Sequence, residues 1–235
     1  TGLNLPGLMV GSEGTLGVIT EVTLKLTDPP GELAVLVLGL ADFPVVMDVL
    51  AAFRARLSLT AFEFFSELAL DKVTGALDLS RPFDTEAPYY ALIEFEAEGA
   101  AEAALEVFER AVEEGWVVDG VISQSAAQAR ELWRLREDIS ETISRWTPYK
   151  NDIAVRVADV PAFLAEVDAF AAEAYPDLEV VWFGHIGDGN LHLNILKPDD
   201  VAQDAFFARC HALSERVFDI VARYGGSVSA EHGVG

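Results

Sequence analysis

The sequence predicts an α+β fold, a sheet covered by helices, and three observations carry that prediction. Stretches of about eight apolar or alternating residues, such as LAVLVLGL from Leu33, read as strands. Between them lie segments with apolar residues at i, i+3, i+4 and i+7, as at Val46, Val49, Leu50, Phe53 and Leu57, the spacing of one buried helix face. The chain has 235 residues and is 51% hydrophobic, too apolar for a disordered acidic tail and long enough for one large core or two modest ones.

Taken in order, Gly2, Gly7, Gly11, Gly14 and Gly17 punctuate the start of the chain, and VITEVTLKL follows with Val18, Thr20, Val22, Leu24 and Leu26 at period two. This predicts a glycine loop feeding a strand. Asp28-Pro29-Pro30-Gly31 breaks any regular element, so the boundary is set there, with one unit at 1–30 and a second at 31–235. After the Leu33 strand and its helix come LTAFEFFS, a short helix from Glu67 to Val73, the strand YYALIEF, and a helix striped by Ala104, Leu105, Phe108, Ala111 and Val112. WVVDGVIS, a helix from about Ala126 to Ile143, the strand DIAVRVA and a helix carrying Phe163, Val167 and Phe170 follow. VVWFGHI and LHLNIL read as two strands around the turn GDGN, and the closing helix buries Phe206, Cys210, Leu213, Val217, Ile220 and Tyr224. No short sequence repeat is visible, and periodicity leaves the strand order open.

Charge narrows the partners. Sixteen Lys+Arg against 39 Asp+Glu give −23, which argues against a polyphosphate groove and against anionic lipid, since both need clustered cations. No apolar stretch approaches the ~20 residues of a membrane helix. A lone Cys210 makes no internal disulfide and fits a reducing compartment, so a cytoplasmic location is expected. The chain does not begin with Met, and its first residues read like the inside of a domain; it is expected to be a piece of a longer protein.

Three of the four histidines carry the chemistry. His185 and His192 flank GDGN, and Asn190, His192 and Asn194 alternate and so share a face. A hydrogen-bonded core with histidines as packing residues is the competing reading. Glu231 and His232 lie in the glycine-flanked SAEHGVG, and two imidazoles with one carboxylate form a zinc set that leaves positions open. His185, His192 and Glu231 are then the metal ligands and His232 a general base. Six of the 16 cations fall between Arg130 and Arg156. Arg130, Arg134 and Arg145 read as a salt-laced helix surface, whereas Arg136 and Lys150 suit a substrate carboxylate, one by a planar fork and the other as a point charge. GSEGTLG matches neither the dinucleotide fingerprint nor a phosphate loop with lysine, and Glu13 disfavours a phosphate beside it.

Read together, TGLNLPGLMVGSEGTLGVITEVTLKL, LWRLREDISETI, YKNDIAV, GHIGDGNLHLN and SAEHGVG resemble the C-terminal half of the FAD-linked D-2-hydroxy acid dehydrogenases, over nearly the whole length. The resemblance implies an antiparallel, ferredoxin-like cap domain preceded by the last loop and strand of an FAD-binding domain. It implies that Gly11, Ser12, Glu13, Gly14, Thr15, Gly17, Val18 and Ile19, with Asn190, contact FAD. It further implies a divalent metal, usually zinc, on His185, His192 and Glu231, and His232 as the base. Arg136 and Lys150, helped by Ser140 and Asn194, hold the substrate; Ser140 stands where some members have threonine. The implied reaction converts a small 2-hydroxy acid (lactate, glycolate or 2-hydroxyglutarate type) to the 2-oxo acid by hydride transfer to FAD. The electron acceptor is not named by the sequence, and a homodimer or further oxidase subunits are open as assemblies. Without the upstream FAD-binding half, this stretch alone is expected to hold FAD weakly and to be inactive. Two other readings of the same residues stand beside this one: a metal-dependent hydrolase, and a non-enzymatic module that captures metal and carboxylate.

Overall fold

The computed structural model describes residues 2–10, 12 and 14–230. A short helix, α1 (Leu5–Met9), is capped by Asn4, whose side chain accepts the Gly7 N–H. Between α1 and Gly31 the described residues form no strand, and Val18, Ile19, Val22, Leu24 and Leu26 are 62–87% exposed. The strand expected over 18–26 is therefore not formed. Period-two alternation reports which residues would share a face, but a strand also needs a neighbour for its N–H and C=O groups. No described strand pairs with this segment.

The remainder runs β1 (Leu33–Leu40), α2 (Val46–Arg54), β2 (Leu59–Ser66), α3 (Glu67–Ala76), β3 (Tyr89–Glu96), α4 (Ala101–Glu113), β4 (Val117–Ile122), α5 (Ala126–Glu137) and α6 (Ile139–Thr142). Then come β5 (Tyr149–Ala154), α7 (Val160–Ala174), β6 (Glu179–His185), β7 (Asn190–Leu196) and α8 (Gln203–Arg223). The seven strands of the described residues join one sheet in the order β4-β1-β3-β2-β6-β7-β5, and every neighbouring pair is antiparallel. This is the expected α+β sheet with helical cover.

The sheet is two similar halves. The order β4-β1-β3-β2 with connections β1-α2-β2-α3-β3-α4-β4 is a split βαβ arrangement, as in ferredoxin-like folds. The second half, β5-α7-β6-β7-α8, repeats it with the order β6-β7-β5. Ser227 bridges Ala154 on the outer edge of β5, where a fourth strand of that half would lie. The sequence shows no matching repeat, because topology can recur where side chains do not. The halves meet at β2 and β6 through the pairs Glu63↔His185, Phe64↔Gly184 and Phe65↔Phe183.

Helices cover both faces. α2, α4, α7 and α8 pack on one, against side chains such as Leu38, Phe64, Ile93 and Leu193; α3, α5 and α6 pack on the other, against Val37, Phe65, Leu92 and Phe183. A strand buried on both sides has no polar face, which explains why LAVLVLGL is continuously apolar. Three local expectations change. The buried stripe of α4 is Ala104, Val107 and Ala111, while Leu105 and Val112 are exposed. The long helix from Ala126 divides at Asp138 into α5 and α6 and tightens to a 3-10 turn over Ile143–Trp146, with Leu135, Ile139 and Ile143 all kept in the second core. β5 begins at Tyr149, before the expected DIAVRVA, because β7 offers pairing only against Tyr149–Ala154; the next amide, Val155 N–H, bonds Gly189 O in the turn instead.

Candidate active site

The second-face helices stop short of β5 and most of β7, so the polar residues of those strands face a cleft. Strand register alone assembles it. His185 lies opposite Glu63 on β2 and Asn190 on β7; His192 lies opposite Phe183 and Asp152; Asn194 lies opposite Lys150. Because side chains alternate, all of these polar groups project to one face. The turn that brings β7 back demands glycine at Gly189, whose φ is +83° and where a Cβ would stand 2.1 Å from Val155 O. The resulting cleft has a volume of about 800 Å³ and is lined by residues that include Arg136, Ser140, Lys150, Asp152, His185 and His192.

Two acidic side chains organise the interior. Glu63 is 6% exposed; its Oε1 lies 2.7 Å from His185 Nδ1 and its Oε2 3.0 Å from Arg136 Nη2. Arg136, delivered by the last turn of α5, also sits over the Phe183 ring at 4.7 Å. Asp152 Oδ1 accepts from Asn190 Nδ2 at 2.6 Å and lies 3.4 Å from His192 Nδ1, while its Oδ2 accepts the Ala230 N–H at 3.2 Å. Lys150 Nζ donates to Ser140 Oγ at 2.8 Å, joining β5 to α6. The two imidazole rings have centroids 5.4 Å apart and planes at 83°. Burial, reinforced by the positive charge of Arg136, lowers the His192 pKa to about 4 despite the opposing pull of Asp152, so its imidazole is neutral at pH 7.

Residues 30–235 match the family described as FAD linked oxidases, C-terminal domain. The chain belongs to that family. Among its relatives is a D-2-hydroxyglutarate dehydrogenase of Stutzerimonas stutzeri (strain A1501), 60% identical over 100% of this chain and 51% of the relative. A D-2-hydroxyglutarate dehydrogenase of Xanthomonas citri pv. viticola is 54% identical over 100% of this chain and 50% of its own length. A mitochondrial D-2-hydroxyglutarate dehydrogenase of Bos taurus is 36% identical, covering 100% and 43%. The chain thus spans about half the length of these curated relatives. Among solved structures, an alkyldihydroxyacetonephosphate synthase superposes with TM-score 0.65 at 16% identity, over 97% of this chain and 45% of that one. The 4-ethylphenol oxidase of Gulosibacter chungangensis gives 0.57 at 11% identity over 90% and 48%. At such identities the likeness is one of fold.

For this FAD-linked oxidase domain, the site residues expected from sequence fall into four groups. Arg136, Ser140, Lys150, His185, His192 and Asn194 come together at the cleft. Asn190 lies beneath it at 4% exposure, its Nδ2 on Asp152 and on Ile153 O. Asn194, 1% exposed, turns its Nδ2 back to the His192 and Val181 carbonyls. Ser12, Gly14, Thr15, Gly17, Val18 and Ile19 form no part of the cleft lining; Thr15 folds back by N–H and Oγ–H onto Ser12 O. Gly11, Glu13, Glu231 and His232 lie outside the described residues. Among the described residues no group of three metal-ligating side chains occurs. Arg134 pairs with Asp138, as expected of a salt-laced helix surface, and His211 meets the Tyr149 hydroxyl.

Sequence reasoning passed over Glu63 and Asp152. Glu63 had a signal, being the single charge in the apolar run LTAFEFFS, which a buried strand carries only with a partner. Asp152 stands two residues after Lys150 and so on its face, but only the pairing of β5 with β7 shows what it meets.

Proposed function

We propose that this domain is the substrate half of a flavin-dependent dehydrogenase that oxidises a D-2-hydroxy acid, D-2-hydroxyglutarate first among candidates, to the 2-oxo acid. The observation that carries the reading is the cleft itself: a guanidinium, an ammonium and two imidazoles on one face, in a chain 60% identical over its whole length to a relative of that name. Residues 1–30 are proposed as the end of the FAD-binding domain, a role suited to their exposed apolar side chains. Gly11, Ser12, Glu13, Gly14, Thr15, Gly17, Val18, Ile19 and Asn190 are the proposed flavin contacts. The electron acceptor is a further redox partner, and the lone buried Cys210 suits the cytoplasm. No described helix is long and apolar enough to cross a membrane.

A divalent cation, zinc by preference, is proposed on His185, His192 and Glu231. Two imidazoles bound tetrahedrally at ~2.1 Å would have ring centres roughly 5 Å apart, and the observed 5.4 Å fits. When bound, the flavin supplies a two-electron acceptor and the metal a Lewis acid for the 2-hydroxyl. The chain's own residues do the rest. Arg136 and Lys150 hold substrate carboxylate, Ser140 keeps the ammonium in place, the neutral His192 remains a ligand at pH 7, and His232 takes the hydroxyl proton. The test is anaerobic mixing of the full-length flavin-loaded protein with D-2-hydroxyglutarate, D-lactate, glycolate and L-2-hydroxyglutarate. Bleaching of flavin absorbance by a D-acid is expected; no bleaching with any of the four refutes the proposal.

A further inference from the structure

We infer that Glu63 and Asp152 are the positioning residues of the histidine pair, an assignment that rests on the metal-dependent reading above. Each is a carboxylate in a place where packing alone asks for none. Glu63 is the single charge on its strand, with Phe65 and Phe183 in its face and 6% exposure, and a buried carboxylate is costly unless it is paired. Each carboxylate sets one oxygen toward a histidine Nδ1 and the other toward a second group, and Asp152 Oδ1 also accepts from Asn190 Nδ2 at 2.6 Å. One oxygen addresses a histidine Nδ1: Glu63 Oε1 meets His185 at 2.7 Å, and Asp152 Oδ1 meets His192 at 3.4 Å. The other addresses a second functional group: Glu63 Oε2 the Arg136 guanidinium, and Asp152 Oδ2 the backbone N–H of Ala230, immediately before Glu231 and His232.

The chemistry of imidazole gives this arrangement its meaning. A carboxylate at Nδ1 keeps the proton there, which makes Nε2 the lone-pair nitrogen and fixes the plane of the ring. Doing so for both histidines selects Nε2 as the donor atom on each. Glu63 also ties the ring that would hold the cation to the guanidinium that would hold the substrate, and Asp152 ties the second ring to the segment that delivers the third ligand and the base. An amide can fill only one of the two roles. In Glu63→Gln or Asp152→Asn the volume is kept, but a single acceptor oxygen remains and the NH2 is left against the other group.

The experiment uses the full-length protein and zinc itself. Zinc dissociation constants are measured by competition with a chromophoric chelator for wild type, Glu63→Gln, Asp152→Asn and a control, Asp168→Asn, a half-buried carboxylate away from the cleft that bonds Trp182 and Tyr89. Loss of an outer-shell partner weakens metal binding about 10–100-fold, which is expected for the first two variants and not for the control. Values for Glu63→Gln and Asp152→Asn within about twofold of wild type overturn the assignment alone. A wild type that binds no zinc overturns the metal reading and the assignment with it. Histidine 15N spectra of metal-free wild type supply a readout that needs no variant to fold: protons on Nδ1 of His185 and His192 are expected, and either ring carrying its proton only on Nε2 refutes the assignment.

Discussion

Gly184 lets the two histidine-bearing strands approach, and replacing it by alanine tests that directly. A Cβ at Gly184 would lie 2.4 Å from Asn190 O and 3.0 Å from Leu191 Cα, both backbone atoms of the paired strand, with Phe64 Cε1 at 3.1 Å. Carbon-to-oxygen approaches between strands are ordinarily about 3.3 Å, so β6 and β7 must part by roughly 0.9 Å at the residue before His185. Neither strand can yield alone, because β6 is held by β2 and β7 by β5. Overpacking of this kind costs about 3 kcal/mol, or a fall in Tm of roughly 9 °C for a chain of this size. Gly75→Ala is the companion: it lies in α3 with nothing within 4 Å of an added Cβ, and should gain about 0.5–1 kcal/mol. Urea unfolding followed by far-UV circular dichroism measures both. A Gly184→Ala chain within about 0.5 kcal/mol of the parent would refute the close approach of β6 and β7 that sets His185 beside His192.

Two further predictions concern titration. His192 is held below the unfolded value of 6.5, at about 4, so the folded chain binds fewer protons between those pH values; its stability contribution is complete above pH 6.5 and lost as pH falls toward 4. The loss reaches about 2 kcal/mol at pH 5, so with chelator present the wild type should lose that much more than His192→Gln between pH 7.5 and 5, and parallel urea midpoints would contradict it. Asp168 has the opposite sign: burial raises its pKa above 3.8, against the Trp182 and Tyr89 hydrogen bonds, so folding is favoured below the unfolded value and the benefit fades as pH rises through the folded one. Asp168→Asn, which still accepts from Trp182 Nε1–H and can donate to Tyr89, should flatten that dependence, while Asp168→Ala strands both groups and should cost about 2 kcal/mol; equal pH profiles for wild type and the asparagine variant would refute the cause assigned.

How far the sequence carries depends on what each pattern encodes. The period of β1, β2, β3, β6 and β7 was readable because a strand between helical layers must be apolar there, and the shared face of His192 and Asn194 follows from alternation. Arg136 and Lys150 were legible as scarce cations in an acidic chain. What alternation does not encode is the neighbour. The strand expected at 18–26 has the right period and no partner among the described residues, and Asp152 becomes a site residue only when β5 is laid beside β7. Glu63 was missed for a related reason: its oddity in LTAFEFFS is visible, but His185 stands 122 positions away and only the join between β2 and β6 brings them together.

That join also decides alignment. Phe64 and Phe65 continue the two cores across it, and a slip of two residues along β6 would return every side chain to its own face and leave apolar opposite apolar. Glu63 would then face Phe183 in place of His185, and its Oε1 would lose the imidazole that now meets it, leaving one oxygen of a buried carboxylate without its partner. Hydrophobic packing alone therefore tolerates more than one register between the half-sheets, and the Glu63–His185 contact is the key that admits one. A chain in which both residues were made apolar would keep its two halves and lose the rule for matching them.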